Sequence, residues 1–265
     1  MEQPNKNIKL VSNKKSRVIL PNILTLIGVC IGLTSIKFAF DGKFELSIIA
    51  VIVAGIIDGL DGRIARLIQG TSKVGKELDS LTDVISFGVA PAFIMYFWSM
   101  SEIGRLGWLI SLIYVVCVAL RLARFNVNSE AEPSWRDNFF EGIPSPAGGI
   151  LVLMPLIYSF SEIQFFKPNY QIVVPALFIL IAILLISKVP TYSLKKIVVP
   201  RSTTIFLLFV VVLFFGLLLI YTFNTLIISG ILYLIIIPVS SVHFLLIKKN
   251  NKIKDDSTDH HEDEL

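Results

Sequence analysis

The chain has 265 residues, 54% of them hydrophobic and only 17% charged, with a mean hydropathy of +0.74. That excludes an ordinary soluble domain, and because the apolar residues fall in long runs, a polytopic membrane protein is expected. The formal charge of +4 says less than where the basic residues stand. The two cysteines, Cys30 and Cys117, lie inside apolar runs and read as small hydrophobes, not as a disulfide or metal pair.

Residues 1–17 are polar and basic, a cytoplasmic tail or a short helix lying on anionic lipid. The first apolar run follows this basic segment without a small-residue cleavage site, so no cleavable signal is expected. Pro21-Asn22 is expected to open the first span, to about Ile36, with the proline in the first helical turn. The second span runs from about Glu45 to Leu67 and the third from about Lys76 to Ser99. Gln69 to Lys73 make a polar turn between them. A fourth span, about 107–127, ends in R-L-A-R-F-N. A polar loop at 128–141 leads to G-I-P-S-P-A-G-G, which opens the fifth span, to about 160. The sixth covers about 171–187, and the seventh and eighth about 203–223 and 226–247. The fold class is therefore all-α, a membrane helix bundle of about eight transmembrane helices. The stretch 248–265, which ends in the acidic D-D-S-T-D-H-H-E-D-E-L, is expected to be a disordered cytoplasmic tail.

Eight spans put both termini on one side. Of the 24 Lys and Arg, only Lys37, Lys43, Arg105 and Lys167 would then face the other side. This bias places the termini, and with them the ends of the second and third spans that meet at residues 69–73, in the cytoplasm. No internal repeat of helix pairs is visible, which weighs against an inverted-repeat transporter.

Four carboxylates interrupt the apolar pattern. Asp58 and Asp61 close the second span in D-G-L-D-G-R-I-A-R, and Asp79 and Asp83 open the third in G-K-E-L-D-S-L-T-D. On a helix at about 100° per residue, Asp58 and Asp61 stand about 60° apart, with Gly62 and Ala65 on their face. Gly75, Asp79 and Asp83 line one face of the next helix. Small residues let the two backbones approach, and four negative charges in an apolar setting then need cations. Oxygen donors call for Mg²⁺, Mn²⁺ or Ca²⁺ rather than zinc.

The pattern D-G-x(2)-A-R-x(8)-G-x(3)-D-x(3)-D, carried by Asp61, Gly62, Ala65, Arg66, Gly75, Asp79 and Asp83 and preceded by Asp58, resembles the signature of the CDP-alcohol phosphatidyltransferases. The resemblance covers roughly residues 20–200 and implies a six-helix catalytic core over 18–200, with 201–247 as two additional helices. It also implies two divalent ions, Mg²⁺ or Mn²⁺, held by Asp58, Asp61, Asp79 and Asp83, with Asp83 also the general base. Asn22, Thr25, Gly62, Arg66 and Ser72 would bind the CDP-diacylglycerol, Asn22 and Thr25 lining its cytidine end. A homodimer among membrane lipids is implied, and no nucleic-acid partner.

Three further stretches, G-K-E-L-D-S-L-T-D-V-I-S-F-G-V-A-P, R-L-A-R-F-N and F-x-G-I-P-S-P-A-G-G from Phe140, are similar to the bacterial multi-span branch of that family that makes phosphatidylserine. S-K-V-P-T-Y-S-L-K-K from Ser187 fits the same branch. The acceptor implied is L-serine, with Arg121, Arg124, Asn126 and Lys188 as candidates to hold it. Glycerol 3-phosphate or inositol phosphate are the alternative acceptors, and their dianions would call for more cations. A divalent-cation transporter is the alternative of another class, but it leaves Arg66 and the glycine spacing without a role.

Overall fold

The architecture comes from a computed structural model that describes residues 13–68, 70, 72–128, 139–192 and 201–262. The N-terminal reading for residues 1–12, and Gln69 and Thr71 of the polar turn, lie outside the described residues. The chain forms two compact units, divided after Val115.

The first unit contains α1 (Asn13–Phe40), α2 (Phe44–Leu67), α3 (Lys73–Asp83), a π-helical stretch (Val84–Val89) and α4 (Ala90–Trp98). A 3₁₀ turn (Met100–Ile103) then leads to the start of α5 (Arg105–Asn128). α1 begins eight residues before Pro21, so the proline is inside the helix rather than in its first turn. There it removes one N–H from the helical ladder, and its ring crowds the carbonyl four residues back. The buried positions of α1 are Pro21, Thr25, Gly28, Gly32, Ser35 and Ala39, spaced alternately four and three. Every one is small, so the seam admits neighbouring backbones closely. Thr82 Cγ2 lies 3.5 Å from where a Cβ on Gly28 would be, and Ser86 Oγ 2.6 Å from one on Gly32. Ser47 of α2 donates to the Ser35 carbonyl at 2.6 Å. α1 is thus the post against which α2, α3 and α4 lean.

The π-helical stretch has a local cause. Pro91 brings no N–H to the turn before it, and Ala90 N–H reaches back five residues to the Ile85 carbonyl. The fully buried Tyr114 donates its hydroxyl to the Phe87 carbonyl at 2.8 Å, so that backbone oxygen is not left bare among apolar groups.

The second unit holds the rest of α5, then α6 (Ser145–Val152), α7 (Met154–Phe160), α8 (Tyr170–Ile186), α9 (Arg201–Ile220) and α10 (Thr222–Glu262). The expected fifth span is broken at Leu153, with Pro155 in the first turn of α7. The all-α expectation also needs correcting. Phe139–Glu141 (β1) pairs antiparallel with Pro190–Tyr192 (β2), Phe140 opposite Thr191. Both strands flank apolar helices at polar ends, and Gly142 makes the turn into the joint. Its φ of +75° suits glycine, and a Cβ there would stand 2.8 Å from the Leu185 carbonyl. Its N–H donates to Val189 O at 2.8 Å, and its own carbonyl accepts from Thr191 Oγ1 at 2.7 Å.

Among the described residues, four stretches are long and apolar enough to cross a membrane: Ile19–Phe40, Lys73–Trp98, Arg105–Val127 and Thr222–Leu246. The other expected spans differ for physical reasons. α2 ends in Asp58, Asp61, Arg63 and Arg66, α6 and α7 are separate short helices, and α8 and the apolar part of α9 (Ile205–Ile220) are shorter. The stretch from 248, expected to be disordered, continues α10 through Glu262. It contains no Gly or Pro to end the helix; residues 263–265 lie outside the described residues.

Candidate active site

The acidic centre is built from the first unit. α2 delivers Asp58 and Asp61 one turn apart near its C-terminus, and α3 delivers Asp79 and Asp83 one turn apart. Ser72 starts α3 as its N-cap, its Oγ accepting the Gly75 N–H at 2.9 Å. A Cβ on Gly75 would fall 2.9 Å from Asn22 Oδ1 and 3.1 Å from Ser72 Oγ. Glycine there lets the side chain of α1 reach the first turn of α3.

Asp58, Asp61 and Asp79 each offer a carboxylate oxygen, and the three lie within 4.8 Å of one another. Asp61 is 3% exposed, with Asp58 and Asp79 half-buried. Asp58 is also within hydrogen-bonding reach of both Asp79 and Asp83. Asp83 therefore joins the group through Asp58 rather than as one of the three closest oxygens. Carboxylates this close in an apolar layer repel unless positive charge stands among them. Ligand oxygens on a common hard cation lie about 3 Å apart when adjacent and about 4–5 Å apart when opposed, given metal–oxygen distances of about 2.0–2.6 Å. The donor set fits Mg²⁺ or Mn²⁺, and it lacks the sulfur and imidazole that zinc favours.

Thr25 has a role that spacing did not show. Buried in the α1 seam, its hydroxyl donates to Asp61 Oδ2 at 2.6 Å and lies 3.0 Å from the Pro21 carbonyl. The Gly62 N–H serves the same Asp61 carboxylate. Thr25, expected at the cytidine end, bonds the Asp61 carboxylate in the structure, as a group that orients a metal ligand would. Its regular place in the four-three run of small residues was the available signal.

On the other flank, Gly62 is exposed, and a Cβ there would meet nothing within 4 Å, so the space over it is open. Arg66 tethers its exposed guanidinium beside that space, Nε donating to the Gly62 carbonyl at 3.0 Å. Ser86, in the π-helical stretch that follows α3, is buried against Gly32 of α1.

Residues 18–185 match the family model described as CDP-alcohol phosphatidyltransferase. The chain belongs to that family. Within it, the chain is 44% identical over 137 residues to the CDP-diacylglycerol--serine O-phosphatidyltransferase of Mycobacterium leprae (51% of this chain, 45% of that one). It is 41% identical over 148 residues to the protein so described from Mycobacterium tuberculosis (54% and 51%). Against that of Helicobacter pylori it is 36% identical over 179 residues (68% and 74%). The matched segment spans about half the length of the mycobacterial relatives.

The four residues expected to hold the acceptor all lie in the second unit. Arg121, 8% exposed, donates from Nη1 to Ser145 Oγ at 2.6 Å, with the Phe125 ring 5.9 Å from its guanidinium carbon. Arg124 donates from Nη1 to the Ile186 carbonyl at 2.8 Å and so caps the C-terminus of α8. Asn126 is half-buried and Lys188 exposed. Three stretches far apart in the chain thus meet: R-L-A-R-F-N through Arg121 and Arg124, G-I-P-S-P-A-G-G through Gly142 and Ser145, and S-K-V-P-T through Val189 and Thr191.

Proposed function

We propose that the chain transfers the phosphatidyl group of CDP-diacylglycerol to L-serine, giving phosphatidylserine and CMP. The observation that carries the reading is the triad of Asp58, Asp61 and Asp79 within 4.8 Å, drawn from two helices and reached by Asp83. Two bound Mg²⁺ or Mn²⁺ ions would offset the pyrophosphate charge and that of departing CMP. The open space over Gly62 takes the nucleotide against backbone, Arg66 presents its fork to phosphate, and Asn22 and Ser72 border the same edge at Gly75.

Asp83 is the proton acceptor of this reading. The serine oxygen bonds to the phosphorus, the bond from phosphorus to the CMP oxygen breaks, and the hydroxyl proton passes to the Asp83 carboxylate. Serine as acceptor draws support from the printed descriptions of the mycobacterial and Helicobacter relatives. Arg121 is the residue assigned to its carboxylate. Arg124, which already caps α8, has a weaker claim, as do Asn126 and Lys188. The same reading sets eight spans in the bacterial inner membrane, termini and acidic centre toward the cytoplasm, and the protein as a homodimer.

The test is detergent-solubilised protein with CDP-diacylglycerol, Mg²⁺ or Mn²⁺, and radiolabelled L-serine. Labelled lipid and CMP should form in equal amounts and cease on chelation. CMP release driven by glycerol 3-phosphate or inositol phosphate but not serine would replace the acceptor. Divalent-cation flux without CMP would replace the enzyme with a transporter.

A further inference from the structure

The loop between α7 and α8, residues 161–169, reads S-E-I-Q-F-F-K-P-N and turns two adjacent phenylalanines outward. Phe165 is 88% exposed, more than any other large apolar side chain described, and Phe166 is 66% exposed. An exposed apolar pair of this kind marks a surface that something covers.

The backbone of the loop shows what kind of medium that is. A loop that meets water can leave its N–H and C=O groups to the solvent, but here side chains serve them. The Tyr158 hydroxyl accepts the Phe166 N–H at 3.1 Å and donates to the Phe166 carbonyl at 3.0 Å, and its ring lies 5.5 Å from that of Phe166. Gln164 Nε2 donates to the Ser159 and Ser161 carbonyls at 3.0 and 3.2 Å. Asn224 Oδ1 accepts the Glu162 N–H at 3.1 Å, and Asn169 Oδ1 accepts the Gln171 N–H at 3.1 Å. Backbone groups provided for in this way can enter a medium poor in water, where bare ones are costly.

The level of the loop follows from α10, in the same unit. Its apolar stretch Thr222–Leu246 is 25 residues, about 37 Å at 1.5 Å per residue, against a hydrocarbon core of about 30 Å. The ends of that stretch therefore stand at the membrane boundary. Asn224, bonded to Glu162, is in its first turn, and the Phe223 ring lies 5.6 Å from that of Phe160, where α7 enters the loop. Tyr221 immediately precedes the stretch, and Tyr158 and Tyr170 flank the loop, as tyrosines do where the apolar layer meets water. One exposed acid, Glu162, and one exposed base, Lys167, stand either side of the phenylalanines. Their charges cancel, so charge does not draw the loop to an anionic surface.

We propose that residues 161–169 are a lipid anchor. Phe165 and Phe166 enter the acyl boundary of the leaflet around the start of α10, while Glu162 and Lys167 stay among its headgroups. The partner is the phospholipid bilayer, taken by insertion and not by charge. The anchor is independent of the transfer reaction proposed above.

Nitroxide labels on Phe165→Cys, Glu162→Cys and Lys167→Cys test it, each in the full chain with Cys30→Ser and Cys117→Ser. The proteins are placed in nanodiscs of phosphatidylcholine, with and without phosphatidylglycerol, and melting as wild type confirms the fold. Oxygen should reach the Phe165 label far better than an aqueous nickel chelate does, at a depth of about 5–10 Å inside the phosphates in both lipids. The Glu162 and Lys167 labels should read shallower. Nickel reaching the Phe165 label as freely as oxygen places the loop in water and overturns the anchor. Exclusion of both reagents means that protein covers the loop, a second copy of this chain or another partner, and overturns it too. Insertion only with the anionic lipid overturns it in favour of attraction by charge. The unsubstituted protein gives a second reading. A photoactivated carbene dissolved in the bilayer should label peptide 161–169, and hydroxyl radicals generated in water should leave Phe165 and Phe166 unoxidised. The reverse pattern overturns the anchor.

Discussion

α1 and α9 are both long, apolar helices, and their surroundings could hardly differ more. On α1, every fourth or third residue from Pro21 to Ala39 is small and buried. On α9, every described side chain from Ile205 to Ile220 is exposed or half-exposed, and a Cβ on Gly216 would meet nothing. Hydropathy alone does not separate them, because lipid is as apolar as leucine and gives no reason for one leucine-rich helix to seek another. What makes α1 a packing element is the removal of bulk along one line, which lets Thr25 come within 2.6 Å of Asp61. α9 is a helix for the bilayer, and α1 a helix for the site.

The comparison breaks most sharply at the carboxylate that α1 supports. Asp61→Ala should be inactive while still folding, and Asp61→Asn less severely impaired, because an amide oxygen still coordinates a hard cation. CMP release in Mg²⁺ and in Mn²⁺ measures it, and a fully active Asp61→Ala protein would sink the metal assignment. Next in size is Asp83→Asn, expected to lower kcat by at least about a hundredfold while CDP-diacylglycerol affinity and metal affinity hold. Affinity falling in proportion to rate would make Asp83 chiefly a ligand. Thr25→Val keeps the shape of the seam and loses the bond to Asp61, so the Mn²⁺ concentration for half-maximal activity should rise about 10–100-fold. Direct Mn²⁺ binding should weaken in step, with melting in chelator little changed. Smallest is a matched pair of glycine substitutions. Gly32→Ala would place its Cβ 2.6 Å from Ser86 Oγ and 3.2 Å from Ser86 Cα. That overpacking should cost about 1–3 kcal/mol in detergent melting. Gly216→Ala should leave melting and CMP release unaltered, and a drop there would mean that α9 has a partner.

Much of the acidic centre was legible because its information is periodic. Asp58, Asp61, Asp79 and Asp83 sit at helical spacing, and their helices follow from apolar runs that the structure reproduces with shifts of a few residues. Less was legible wherever one group has two possible partners. Thr25 could serve a ligand or a carboxylate, and only the approach of α2 decides for Asp61. Arg124 beside Phe125-Asn126 reads as an acceptor contact, and only the fold shows that it also bonds the carbonyl ending α8. The β1–β2 pair and the break at Leu153 escaped because apolar runs do not register what happens at their polar ends. α10 ran past its expected end for the opposite reason: an absence of apolar residues does not stop a helix that has nothing to break it.

The π-helical stretch from Val84 to Val89 also acts as a phase shifter. One extra residue in a turn rotates everything after it by about 100° relative to an uninterrupted α-helix. The rod from Lys73 to Trp98 therefore carries two independent faces joined end to end. Its lower part can keep Asp79 and Asp83 on one side. Its upper part can turn Phe93 and Tyr96 to the Trp108 ring without dragging the carboxylates out of line. A single residue deleted from that stretch would leave the chain just as hydrophobic and the upper face pointing the wrong way.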